Sequence, residues 1–209
     1  MGVSATGAAV GLSGCMNVGQ DALASAQTPA RTPAQPVSDS EWHWSRPNSV
    51  RHFEREDVVY YTAEPAGTIV IDPSSHFLYL VLGPGRARRY GIGVGSEGYG
   101  WSGVATVHSK QEWPDWYPTK DILARMPQLR PRMKKLTGGD GFAGGEENPL
   151  GARALYLWQN NKDTLYRIHG TNEPWTIGQN VSSGCIRLTN DDVIDLYSRT
   201  PVGTKVVVL

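Results

Sequence analysis

"RIHGTNEPWTIGQNVSSGCIRLTND", Arg167 to Asp191, ends an alternating apolar run on His169 and, sixteen residues later, sets Cys185 between a glycine and "IRL". The chain has two cysteines, Cys15 and Cys185. A free cysteine commonly just fills core space. The neighbours change that reading. Gly184 lets backbone approach a ligand closely, and N–H groups at such a turn form an oxyanion hole. His169, from another strand end, is a candidate base. Arg187, two residues past Cys185, shares its strand face and brings positive charge, although alone it reads as a solvated strand residue.

The flanking sequence is strand-rich. "ARALYLWQ" and "DTLYRIHG" alternate around the turn "NNKD", Asn160 to Asp163. Upstream, Ile69 to Ile71 is one strand and "HFLYLVL" another, and "GPG", Gly83 to Gly85, turns it back into "RARRYGIGV" as a hairpin. Downstream, Asn190 is the expected cap of a helix "DDVIDLYSR", with Asp191 and Asp192 in its first turn, and "KVVVL" closes the chain as a strand. Between them, Gln111 to Gly151 holds five prolines, many glycines and one short helical stretch, Asp121 to Met126. So long an insert inside a domain reads as a lid, with Gly138-Gly139 and Gly144-Gly145 as hinges.

With 209 residues and 39% hydrophobic content, the chain makes one well-buried domain plus an extension. Lys plus Arg and Asp plus Glu both total 20, so no global field draws it to nucleic acid or an anionic membrane. With 24 Gly, 14 Pro, seven Trp and nine Tyr, the composition favours β structure over a helix bundle. The histidines, His43, His52, His76, His108 and His169, show no paired ligand spacing, so neither metal nor cofactor is expected. "GVGSEG" matches the dinucleotide fingerprint by letter, but a strand-like run follows where that fingerprint needs a helix.

Residues 1–26 read as a signal-like segment, small, apolar and too short and glycine-rich to span a bilayer stably. "LSGC", Leu12 to Cys15, resembles a lipobox, which would make a lipid on Cys15 the membrane anchor; "ASAQ" offers ordinary cleavage after Ala26 instead. No Lys or Arg precedes Arg31, so the true start can lie upstream of Met1. Residues 27–57 form a Pro, Ser and Thr rich linker and arm, with "WHW" at Trp42 to Trp44, and 58–209 the folded domain. Export leaves Cys185 an unpaired thiol in an oxidising place, a hazard unless the thiol is used.

Order and spacing together resemble the signature of the bacterial L,D-transpeptidases of the YkuD type: a histidine, often followed by glycine, then S-x-G-C-[IV]-R-[LM]-x-N, here "HGTNEPWTIGQNVSSGCIRLTN". The resemblance runs from about Val58 to Leu209. It departs after the first hairpin, where many members carry T-P-x-G and this chain has "GWSGVATV", which touches the pocket wall around Trp101. What the resemblance implies is a mostly β fold, a β-sandwich of mixed sheets with a few short helices and a lid, acting on peptidoglycan stem tetrapeptides. By the same analogy Cys185 is the nucleophile and His169 the base, oriented by the Gly170 carbonyl. Gly184 and Cys185 supply oxyanion donors, Ser182 and Ser183 lie beside the hole, and Arg187 meets a substrate carboxylate. The acceptor stays open between a second stem's amine, an anchored outer-membrane protein and water, as does a non-catalytic wall-binding module. A carbapenem is expected to acylate Cys185.

Overall fold

The computed structural model describes residues 52–96, 100–182 and 184–209. Cys15, the arm at Trp42 to Trp44, Gly98 and Ser183 lie outside them, as do residues 1–51 generally. The strands, in chain order, are β1 (Glu56–Val59), β2 (Ile69–Asp72), β3 (Phe77–Gly83), β4 (Arg86–Gly91), β5 (Val94–Gly95), β6 (Gly103–Glu112), β7 (Lys134–Leu136), β8 (Gly139–Gly141), β9 (Arg153–Gln159), β10 (Lys162–His169), β11 (Asn180–Ser182), β12 (Ile186–Arg187) and β13 (Lys205–Val208). Two helices, α1 (Lys120–Arg125) and α2 (Asn190–Arg199), complete them.

Nine of the strands form one mixed sheet in the order β1-β4-β3-β2-β13-β6-β9-β10-β12. Its pairs are antiparallel except β13 with β2 and β10 with β12. Local chemistry explains the hairpins. Asn160 and Asn161 both take positive φ, 51° and 59°, the two-residue turn whose twist matches the strands it joins. Gly85, at φ 68°, turns β3 back into β4.

The sheet does not lie flat. β4 and β12 stand seven places apart, about 34 Å at ~4.8 Å per strand. Yet Gly93, just past β4, donates to the Arg187 carbonyl at 2.9 Å and accepts from its N–H at 2.8 Å. The sheet therefore folds over and meets itself, and one core collects Ile71, Leu78 and Tyr90 from one half with Leu157, Ile168 and Ile186 from the other. This is the expected mostly β sandwich of mixed sheets with few short helices. Helix α2 closes the core with Val193 and Leu196. No helix among the described residues is long and apolar enough to cross a membrane.

Two local expectations change. The cap of α2 is Thr189, whose hydroxyl accepts from the Asp192 N–H; Asn190 stands one place inside and sends its side chain elsewhere. The insert is more ordered than its composition suggests. β6 runs on to Glu112, α1 is followed by a 3-10 turn over Pro127–Arg132, and β7 and β8 form a hairpin. The buried Asn148 ties it together, its amide donating to the carbonyls of Pro114, Phe142 and Ala143 at 3.0–3.1 Å. Of the four glycines expected as hinges, two stand at close approaches: a Cβ on Gly144 would meet the Trp113 carbonyl oxygen at 1.9 Å, and one on Gly138 the Tyr117 hydroxyl at 2.8 Å, whereas Gly139 and Gly145 have open space and positive φ, 123° and 146°.

Closure is tight at Gly93, where an added Cβ would meet the Thr176 carbonyl oxygen at 2.8 Å. Gly93→Ala should lower stability by roughly 1–3 kcal/mol through that overpacking. The urea midpoint should fall with its slope unchanged, and an unmoved midpoint would show that the fold-over tolerates more room.

Candidate active site

His169 ends β10, and the parallel pairing of β10 with β12 sets it directly opposite Arg187, with Ile168 opposite Ile186. Side chains alternate along strands, so the two isoleucines enter the core while His169, Arg187 and, by continuation of the register, Arg167 and Cys185 share the other face. Cys185 thus sits diagonally from His169. The imidazole and the thiol are not hydrogen-bonded to each other. His169 Nδ1 lies 2.5 Å from the Gly170 carbonyl oxygen, and Cys185 Sγ lies 3.9 Å from the Leu165 carbonyl oxygen.

The first of these contacts fixes the tautomer. A carbonyl can only accept, so Nδ1 carries the proton and Nε2 presents a lone pair. Burial, reinforced by the Arg187 charge, lowers the His169 pKa to about 3, against the pull of the Gly170 and Leu150 carbonyls. Burial also raises the Cys185 thiol, while the backbone N–H and guanidinium of Arg167 and the charge of Arg187 oppose that rise. The resting pair is a neutral thiol beside a neutral imidazole.

The turn before Cys185 is braced by Ser182, which is buried and donates to the Cys185 carbonyl at 2.6 Å. The same hydroxyl accepts from the Gly184 N–H at 3.2 Å, so that expected oxyanion donor has a partner at rest. Gly184 takes φ 117°, a conformation only glycine holds cheaply. Arg187 meets Glu173 at 3.1 Å through Nη1, and its buried Nε has no partner. Glu173 escaped the sequence reading because an acidic residue in a loop carries no local signal of its partner.

The role of Asn190, expected as a helix cap, escaped it too. Its buried Oδ1 accepts from the backbone N–H of Ala152 at 3.0 Å and of Thr171 at 3.2 Å, pinning the start of β9 to the segment after His169. Gly151 and Gly170 make room, since a Cβ on either would fall 2.2 Å from that oxygen. Their glycine identity was the available hint.

Beside the thiol opens a cleft of about 550 Å³ between α1 and β10, lined by Thr119, Ile122, Arg125, Leu165, Tyr166 and Cys185. The insert therefore flanks the cysteine with its helix and reaches the histidine with the Leu150 carbonyl. His76 bonds Asn180 at 2.8 Å and His108 stacks on Trp158 at 3.7 Å, both apart from this cluster. Among the described residues no His, Cys, Asp and Glu gather as a metal site would need. Gly93 and Gly95 lie beside or in β5, which pairs with β11, and the next element described is β6, not a helix.

A family model for the YkuD-type L,D-transpeptidase catalytic domain matches residues 66–208, which include all of these groups. The chain belongs to the L,D-transpeptidase family. It is 39% identical over 122 residues to "Probable L,D-transpeptidase ErfK/SrfK" of Escherichia coli (strain K12), covering 56% of this chain and 36% of that protein. To the protein of the same name in Salmonella typhimurium it is 34% identical over 150 residues, covering 68% and 44%. The chain thus spans less than half the length of these relatives. Among solved structures, one from Brucella melitensis described as "Probable carnitine operon oxidoreductase caia" is 53% identical, with TM-score 0.50, covering 75% of this chain and 94% of that one. The activity in that description belongs to that protein.

Two outcomes follow for this transpeptidase domain. Asn190→Ala orphans two buried N–H groups and should cost roughly 2–5 kcal/mol in chemical denaturation. His169, neutral when folded, takes up a proton more readily unfolded, so its contribution is intact above about pH 6.5 and is lost as pH falls toward 3. The loss is roughly 1.4 kcal/mol per unit across that window. His169→Gln should flatten the fall in stability between pH 6.5 and 4.5, measured by thermal unfolding; an equally steep fall would show that the ring is protonated in the fold.

Proposed function

We propose that this domain is a cysteine-dependent L,D-transpeptidase acting on peptidoglycan stem tetrapeptides. The observation that carries the reading is the placement of a thiol and a neutral, singly oriented imidazole on one face of the β10–β12 pair, at the mouth of the cleft beside α1. Cys185 Sγ attacks the carbonyl at the diamino acid's L-centre, forming a C–S bond as its proton passes to His169 Nε2. Because the resting pair is neutral, that transfer accompanies attack rather than precedes it. The Cys185 N–H, and the Gly184 N–H once released by Ser182, face the developing oxyanion; one such donor is worth about 3 kcal/mol of barrier. Collapse breaks the C–N bond to D-alanine, whose amine leaves with the His169 proton.

The thioester then passes to an amine, from a second stem or an anchored outer-membrane protein, with His169 receiving the amine's proton and the thiol restored. Arg187 meets a substrate carboxylate in place of, or beside, Glu173. Ser183 stays a candidate beside the hole. The signal-like segment supports a place in the periplasm or cell envelope, with lipid on Cys15 in preference to cleavage after Ala26. Fatty-acid labelling that persists in Cys15→Ser would end the lipidation reading.

Incubating the domain with disaccharide tetrapeptides and weighing the products tests the chemistry. Cross-linked dimer is expected; tripeptide alone means water is the acceptor, and no change means a binding module. Cys185→Ala should lose roughly a thousand-fold or more of turnover while staying folded, and a carbapenem adduct should map to Cys185. Replacing residues 118–132, which hold α1, by a short linker should lower the dimer-to-tripeptide ratio several-fold, since amine selection over water needs a shaped, water-poor groove. An unchanged ratio in a folded, active variant would remove the insert from acceptor choice.

A further inference from the structure

Strand β10 outruns its partner by two residues: Asp163 faces Trp158 of β9, and Arg167 faces Tyr156. Thr164, Leu165 and Tyr166 are thrown out as a bulge, with Leu165 at φ 63°, a left-handed conformation costing a non-glycine residue about 1 kcal/mol or more. Several contacts enforce it. Asp163 Oδ1 accepts from the Leu165 N–H at 2.8 Å, and both its oxygens take the Arg167 guanidinium as a fork at 2.7 and 2.8 Å. Thr164 donates its hydroxyl proton to the Leu157 carbonyl at 2.6 Å and accepts from the Tyr166 N–H at 3.1 Å. Tyr166 stacks on Trp101, ring centres 5.6 Å apart.

What this strained segment presents is a pair of backbone groups to one sulfur. The Leu165 carbonyl stands 3.9 Å from Cys185 Sγ, an acceptor for a thiol proton. The Arg167 N–H, two residues on, faces the same sulfur and suits the thiolate. Register sets Arg167 beside Cys185, with the Asp163 carboxylate attached to its guanidinium; His108 faces Asp163, and Asp121 and Arg125 of α1 line the same cleft from the other side. On β12 the corresponding charge is Arg187, which is turned to Glu173.

We propose that the Asp163–Arg167 bulge is a holder for the nucleophile: the Leu165 carbonyl parks the protonated thiol away from His169, and Arg167 supports the sulfur once its proton has moved to Nε2. Asp163 and Arg167 are then positioning residues, Asp163 fixing the bulge and tempering the Arg167 charge. The inference rests on Cys185 being the nucleophile.

Alkylation of Cys185 by iodoacetamide, followed against pH on the full chain by mass of the peptide that carries Cys185, tests it without a wall substrate. Arg167→Gln should raise the midpoint by about one unit, Asp163→Asn should lower it by about half a unit, and Arg167→Lys should stay near wild type. Asn keeps an oxygen for the Leu165 N–H, so Asp163→Asn preserves the turn. Opposite shifts in folded variants support the holder; shifts of one sign, or none, overturn it. If Arg167→Gln does not fold, the Asp163→Asn shift decides alone, downward in favour and otherwise against. A wild type that alkylates as expected yet yields no cross-linked product defeats the transpeptidase reading and leaves the holder standing. Unmoved midpoints with normal cross-linking do the reverse.

Discussion

Two hydrogen bonds between Gly93 and Arg187 hold the fold and the site in one place. They join the chain leaving β4 to the far edge strand of the same sheet, so the edge that carries Arg187 is paired on both sides, to β10 through the parallel ladder and to Gly93 across the fold-over. Ile92, Ile186 and Leu188 are buried by this closure, and the Leu188 N–H donates to the His169 carbonyl at 2.8 Å. The backbone on both sides of the reactive pair is therefore fixed by the same contacts that shut the core. A two-residue strand such as β12 could not hold register alone; its neighbours impose it.

That rigidity shapes the electrostatics. A histidine at the end of a closed sheet loses water, and the Arg187 charge opposite it further disfavours imidazolium. The thiol is likewise held up by burial, and Arg167 and Arg187 only partly compensate. A standing thiolate–imidazolium pair would place two charges in a medium that solvates neither well. In the proposed reaction, keeping both neutral defers charge separation until a carbonyl is there to receive the sulfur, and leaves the thiol less reactive in the meantime.

Much of this was legible from residue order. The hairpins followed from "GPG" and "NNKD", the alternating runs gave their strands, and the spacing from His169 to Asn190 gave the family. What escaped is long-range. Thr189 and Asn190 are both competent caps, and only the two backbone N–H groups waiting at Ala152 and Thr171 draw Asn190 away from the helix end. The bulge in β10 is invisible in "DTLYRIHG", because alternation over so few residues hides a two-residue slip that appears only against β9. The insert read as irregular because Asn148 organises it through three carbonyls that no periodicity announces.

The two halves of the proposed reaction then depend on different parts of the molecule. Attack needs Cys185, His169 and the turn at Gly184, all tied to the closed sheet by register, by the Ser182 hydroxyl and by the Asn190 pin. In that proposal, transfer rather than hydrolysis needs an amine to arrive before water. The groups we propose for that choice line the cleft from the other side, Thr119, Ile122 and Arg125 of α1 and its cap, carried on an insert that Asn148 holds as a unit. The insert also touches the base, through the Leu150 carbonyl near His169. Its placement and the basicity of His169 are thereby coupled. A change in the insert that moves Leu150 alters the first half-reaction as well as the second, whereas one confined to α1 leaves the sheet-borne chemistry as it is.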